Sequence, residues 1–255
     1  MKQSIILWIA AAVITFLAGF LQSRLSNEYP VSGSFGIEGK EIGYKLDKVY
    51  YGKDAYTFFI RSEIDSLKGE VKWKDDTSDQ WKSSELIRSG TMLAGLVPHK
   101  EPTTRTEYYI TLSYKNKSYS VPPNKMPVVL TFYGKIPSPV NIYYWLTLFG
   151  LLLMGVRTGL EYFHIPGKMK KLNVFTLIFV VVNVFVFHPL RTTYKLDAVG
   201  KSTVAFTDMF PLSSLFILAA WIIATALIFN TKNFRIWAPV AAILTLIIFE
   251  IGQFT

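Results

Sequence analysis

The residues best equipped for chemistry lie close together, between His188 and Pro211. His188, Arg191, Tyr194, Asp197, Lys201 and Asp208 supply an imidazole, two cations, a phenol and two carboxylates. Glu250, near the end of the last apolar block, is the one further acid that could join them. Such a set could hold a polar ligand or a protein partner. Pro189 reads as the end of one helix and Pro211 as the start of the next. The stretch between them is then a loop of over 20 residues, where compact bundles use about 2–8. The competing reading is a re-entrant or interfacial loop that supports a neighbouring domain.

Other chemistry has little to work with. Nucleophilic catalysis needs a base beside the nucleophile, and the only histidines are His99, His164 and His188. His99 sits in a Pro-flanked turn, with no G-x-S-x-G elsewhere in the chain. No H-E-x-x-H or similar cluster is present. Cys is absent, which removes disulfides, thiolate metal sites and thiol nucleophiles. The glycine-rich run Gly33–Gly39 has no helix after it, so it reads as a loop or bulged strand and not as a phosphate cradle. No catalytic residue, cofactor or metal site is therefore expected.

The elements that must position these residues follow from hydropathy. The chain has 255 residues, 51% hydrophobic, with mean hydropathy +0.30. That positive average comes from five blocks, Ile5–Leu21, Ile142–Val156, Leu172–Phe187, Leu212–Phe229 and Ile236–Ile251. A bilayer core about 30 Å thick takes roughly 20 helical residues, and polar or aromatic ends bring the shorter blocks to that length. Five transmembrane helices are expected. The first reads as an uncleaved signal anchor over residues 1–24, a cleaved signal peptide being the alternative.

Basic residues set the expected orientation. With the N-terminus inside, the inner segments hold Lys2, Arg157, Lys168, Lys170, Lys171, Lys232 and Arg235, against Arg191, Lys195 and Lys201 in the short outer loop. That asymmetry has the sign of a cytoplasmic N-terminus, with the C-terminus outside. The net charge of +9 divides accordingly. Residues 22–140 carry 17 basic and 14 acidic side chains, and the rest carry 10 and 4. Most of the excess is a topology signal, which argues against nucleic acid and for lipid headgroups as its partner.

Residues 25–138 are different material. Period-two runs occur at 42–46, 56–60, 70–74, 92–96, 108–112 and 128–132, bounded by Gly, Asp, Asn and Pro. This is the signature of half-buried strands, and six or seven of them make an antiparallel sandwich. Lys115-Asn116-Lys117 reads as a tight hairpin. Glu70-Val71-Lys72-Trp73-Lys74, Trp81-Lys82, Gly90 to Pro98 and Glu107-Tyr108-Tyr109-Ile110 resemble bacterial extracytoplasmic modules of the fibronectin type III/immunoglobulin-like superfamily. The whole chain resembles bacterial inner-membrane proteins that join such a module to a small helix bundle. The resemblance implies a fold and no catalytic residue.

The expected organisation is thus an anchor helix over 1–24, a β-sandwich over 25–138, and a four-helix transmembrane domain over 139–255 with an outer loop at 190–211. Gly134-Lys135-Ile136-Pro137-Ser138-Pro139 leads from sandwich to helix and reads either as a short stiff stem or as a simple connector. The leading functional expectation is a non-enzymatic accessory, scaffold or assembly protein of the bacterial inner membrane. It would present a periplasmic or extracellular sandwich to another membrane or periplasmic protein. The alternative is a membrane-embedded enzyme, or a lipid or small-molecule binder, using the 188–211 loop. A transporter fits less well, because the centres of the spans lack ionisable groups and Asn183 reads as an interhelical hydrogen bond.

Overall fold

The computed structural model describes residues 2–76, 78–124, 126–165, 167–199 and 204–251. These form two compact units. One is helical and comprises Met1–Asn27, Ile136–Tyr194 and Ala198–Thr255; the other is Glu28–Lys135 with Lys195–Asp197.

The helical unit contains α1 (Lys2–Leu25), α2 (Ser138–Leu160), α3 (Met169–Val182), α4 (His188–Lys195), the single turn α5 (Phe206–Met209), α6 (Leu212–Asn230) and α7 (Trp237–Ile251). Five helical stretches are long and apolar enough to cross a membrane: Lys2–Leu25, Ser138–Phe163, Met169–Lys195, Leu212–Asn230 and Phe234–Ile251. Pro139 falls in the first turn of α2 and Pro211 just before α6, where a missing N–H costs no intrahelical bond.

Trp221 is the largest fully buried side chain of this unit. Its Nε1–H donates to Thr245 Oγ1 at 2.8 Å, tying α6 to α7. Two glycines make the close approaches possible. A Cβ on Gly155 would lie 3.2 Å from the Trp221 ring, and one on Gly159 would lie 2.8 Å from Ala242 Cβ.

The third helical stretch departs from expectation. Pro189 does not end it. A π-helical turn, Asn183–Phe187, joins α3 to α4, and the helix continues to Lys195. Proline lacks a backbone donor and its ring crowds the preceding turn; the wider π turn relieves both problems just before it. The expected loop at 190–211 is therefore helical up to Lys195 and again over Phe206–Met209.

The second unit is built from eleven described strands. They are β1 (Val31–Ile37), β2 (Lys40–Leu46), β3 (Val49–Tyr51), β4 (Tyr56–Arg61), β5 (Lys68–Asp75), β6 (Lys82–Glu85), β7 (Ile87–Ser89), β8 (Met92–Val97), β9 (Arg105–Tyr114), β10 (Lys117–Val121) and β11 (Val128–Tyr133). One sheet runs β1-β2-β4-β8-β7. The other runs β3-β11-β9-β5-β6, with β10 also paired to β9. Burial alternates strictly along β4, and from Arg105 to Leu112 along β9, as expected where one face of a sheet is covered.

The inward residues of both sheets share one core. Ile42, Ile60 and Val97 from the first sheet join Val71, Ile110, Leu112, Leu130 and Phe132 from the second, all fully buried. Each such side chain contributes about 1.5–3 kcal/mol on burial. One pairing differs from an all-antiparallel sandwich: β3 runs parallel to β11, with Val49 opposite Thr131. The glycine-rich run is β1 and its turn, in which Glu38 and Gly39 both have positive φ. Lys115 and Asn116 also have positive φ, the geometry of a two-residue type I′ hairpin.

Candidate functional site

The residues singled out between His188 and Glu250 do not converge on one centre. His188 opens α4, and its ring stands edge-on to Tyr144 with centroids 5.9 Å apart. Arg191 lies one turn on. Its guanidinium is 4.7 Å from the centre of the same Tyr144 ring, and its Nε–H donates to Asn141 Oδ1 at 3.2 Å. These two are brought together, and both pack on α2.

Tyr194 is half-buried on α4. Asp197 belongs to the other unit, has φ of 50°, and places Oδ1 3.6 Å from Lys53 Nζ. Asp208 is exposed on α5. Glu250 is on the last turn of α7, and its Oε1 is buried with no hydrogen-bond partner among the described residues. Lys201 lies outside the described residues. Among the described residues, no group of three or more His, Cys, Asp or Glu side chains could hold a metal ion.

A polar cluster that the sequence reading missed lies at the C-terminal end of α2. Arg157 and Glu161 form an ion pair with only 2% and 1% of their side chains exposed. Glu161 also accepts from the Lys168 backbone N–H at 2.6 Å and contacts His164 Nδ1 at 3.1 Å. The Arg157 guanidinium lies 5.4 Å from the centre of the Trp8 ring on α1. Arg235 Nη2 donates to the backbone oxygens of Glu161, Tyr162 and His164 at 3.1, 2.8 and 2.8 Å. Arg157 has the Glu161 carboxylate beside it and Arg235 has carbonyl oxygens, as buried charge requires, while Arg157 Nε is buried with no hydrogen-bond partner among the described residues. The cluster ties α1, α2 and the approach to α7 together, which is a structural task. Its sequence signal was the i,i+4 spacing of Arg157 and Glu161.

The candidate site is on the outward face of the second sheet. Strand alternation turns Tyr108 and Ile110 of β9 inward, so Tyr109 and Thr111 point out. Thr111 faces Ser120 across the β9–β10 ladder, and Lys72 of β5 faces Tyr109 on the other side. Trp81, 41% exposed just before β6, leans toward Tyr109 with ring centroids 5.0 Å apart and planes at 71°. Trp81, Tyr109, Thr111 and Ser120, together with Ser118, Tyr119 and Pro127, line an open trough of about 450 Å³, within the range of small-ligand clefts.

The electrostatics around the trough are balanced. Lys72 Nζ is 2.7 Å from Glu70 Oε1, and Lys74 Nζ is 3.4 Å from Glu107 Oε2. The hydrogen bond to Glu70 raises the Lys72 pKa. Lys74 also stands 5.4 Å from the centre of the Trp81 ring, a cation–π contact. The residues that line the trough thus offer ring surface and hydroxyls and carry no charge themselves. Alternation alone could have marked Tyr109 as outward-facing; Trp81 could not be placed from sequence.

No family model and no curated protein matches the chain. Among solved structures it is similar to one titled "Crystal structure of Br derivative BhCBM56", at 12% identity, over 42% of this chain and 95% of that one, with a TM-score of 0.23. A likeness of that size carries no argument about fold or function.

Proposed function

We propose that this protein is a non-enzymatic accessory subunit of a bacterial inner membrane. Five helices span the bilayer, the N-terminus is cytoplasmic, and an immunoglobulin-like sandwich is presented on the periplasmic or outer side to an extramembrane partner. The observation that carries the reading is the chain path. The two-sheet unit is entered from α1 and left into α2, both long and apolar enough to span. Such a unit is held to the membrane at both ends and offers its exposed sheet to whatever meets it. The trough at Trp81 and Tyr109 is a concavity on that sheet. The alternative of a site built on the 188–211 segment draws less support, because His188 and Arg191 are engaged with α2.

The absence of native Cys makes the topology directly testable. Ser83→Cys, exposed on β6, and Lys171→Cys, exposed on α3, are placed singly in the full chain and treated with a membrane-impermeant maleimide in intact spheroplasts. The expected result is labelling at 83 at once and at 171 only after permeabilisation. The reverse pattern, or release of the protein by alkaline carbonate, would refute the membrane arrangement. Photo-crosslinking from position 83 in native membranes should give a discrete adduct; a chain that only ever runs alone would end the accessory reading.

A further inference from the structure

We infer that the trough lined by Trp81, Tyr109, Thr111, Ser118, Ser120 and Pro127 binds a neutral glycan chain. The inference rests on the sandwich being a presented recognition unit and names the class of its ligand.

Three observations converge. First, the trough is lined by two aromatic rings, Trp81 and Tyr109, set with their planes at 71°. An aromatic face is electron-rich and attracts the weakly positive C–H groups that cover each face of a pyranose ring. Second, the Trp81 Nε1–H and the hydroxyls of Tyr109, Thr111, Ser118 and Ser120 make no hydrogen bond to other protein groups among the described residues. Four of these five groups are hydroxyls, which donate as well as accept. They match a ligand whose rim is itself made of hydroxyls. Third, the neighbouring charges are already paired as Lys72–Glu70 and Lys74–Glu107. An anionic ligand at Tyr109 would have to break those pairs, or reach along the face to Lys68, which stands opposite Ser113 and is exposed; the hexagalacturonate arm of the test decides this.

The same geometry argues against a proline-rich peptide. Such a segment also docks on aromatic grooves, but its backbone offers mainly carbonyl acceptors. It would leave the acceptor capacity of the four hydroxyls without a use. A sugar uses the ring faces and the hydroxyls together. The volume of about 450 Å³ suits a short stretch of chain entering and leaving an open trough, not an enclosed monosaccharide.

The test uses the full chain in lipid nanodiscs, free of detergents with sugar headgroups. It is screened against an array of neutral oligosaccharides that includes maltohexaose, cellohexaose and chitohexaose, beside hexagalacturonate and polyproline. Hits are measured by calorimetry. At least one neutral oligosaccharide should bind, and Trp81→Ala and Tyr109→Ala should each weaken it about tenfold or more. Trp81→Phe should retain binding within about threefold. Phe59→Ala, which removes an exposed ring on the other sheet, should change nothing. All three positions lie outside the buried core, so unchanged near-ultraviolet circular dichroism verifies that the four variants fold. Failure to bind any neutral oligosaccharide would overturn the proposal. So would affinity indifferent to Trp81 and Tyr109, or binding confined to hexagalacturonate or polyproline. Any of these results would leave the maleimide pattern untouched, so the membrane reading can survive the loss of the ligand.

Discussion

Arg157 and Glu161 stand one helical turn apart on α2 and its extension, and their ion pair is sealed to 2% and 1% exposure. Removing one partner of such a pair strands a charge away from water and costs about 3–5 kcal/mol. Replacing both with apolar side chains of similar volume strands neither charge of the pair, though the Lys168 N–H loses its acceptor. Arg157→Met and Glu161→Leu should therefore each lower the unfolding midpoint of the full chain in micelles substantially. The double variant Arg157→Met/Glu161→Leu should lose less than either single change, giving a large coupling energy. Additive losses would show that the two side chains act independently.

Tyr56 and Tyr108 meet beneath β3 and provide a pH-dependent handle on the sandwich. Tyr56 Oη accepts from the Asp47 N–H, and Tyr108 Oη–H donates to the Asp47 carbonyl oxygen, each at 2.9 Å. Burial raises both phenol pKa values above the ordinary 10.0. The folded state thus holds protons that the unfolded chain releases once pH exceeds about 10. This contribution is fully present below that value and falls away as pH rises through the folded pKa. Near-ultraviolet melts should be flat in this respect up to about pH 9 and decline above about pH 10. Tyr108→Phe should flatten the alkaline limb while lowering stability at neutral pH by about 1 kcal/mol for the lost hydrogen bond. An alkaline limb that persists in Tyr56→Phe/Tyr108→Phe would assign it to other groups.

The parts of the fold legible in sequence are those where one periodicity dominates. Tyr56–Arg61 alternates because one face meets the core and the other meets solvent. Leu212–Asn230 is apolar all round. Val49–Tyr51 and Ile87–Ser89, three residues each, are too short to show a period, and their pairing comes from partners distant in sequence. Pro189 was misread because a helix break is the local expectation, while the π turn that accommodates it depends on the surrounding bundle. The site was less legible still. Arg157 looked like a boundary marker, since its contacts with Ser4 and Trp8 are made across the chain. Trp81 reaches Tyr109 through the β5–β6 pairing and the β5–β9 register together. Contacts set by tertiary register leave no period to read.

Gly159 fixes the distance between α2 and α7. A Cβ there would lie 2.8 Å from Ala242 Cβ and 3.3 Å from the Pro239 backbone, and backbone cannot turn aside as a long side chain can. Gly159→Val should therefore push the helices apart and cost about 1–3 kcal/mol, the range for overpacking. Gly159→Ala should cost less and be partly rescued by Ala242→Gly, since the two methyl groups compete for one space. Thermal unfolding of the four proteins in the Gly159/Ala242 cycle measures the coupling. No rescue by Ala242→Gly would mean that the Pro239 backbone alone sets the clearance.

Asn183 begins the π turn, is 4% exposed, and donates through Nδ2 to Thr147 Oγ1 at 2.9 Å. Thr147 in turn lies within hydrogen-bond distance of the Tyr143 and Tyr144 carbonyl oxygens of its own helix. The pair joins the end of α3 to α2. An interhelical hydrogen bond in a membrane is worth about 1 kcal/mol. Asn183→Leu should therefore lower the stability of the full chain by about that amount, with Thr147→Val similar and the double variant no worse than the larger single loss. This also separates two roles for the Asn183 amide in the third span. A side chain that only ties helices together leaves solute flux across proteoliposomes unchanged when replaced. If Asn183→Leu left the melting midpoint where it was but abolished a measurable flux, the amide would belong to a transport path, and the accessory reading would give way to it.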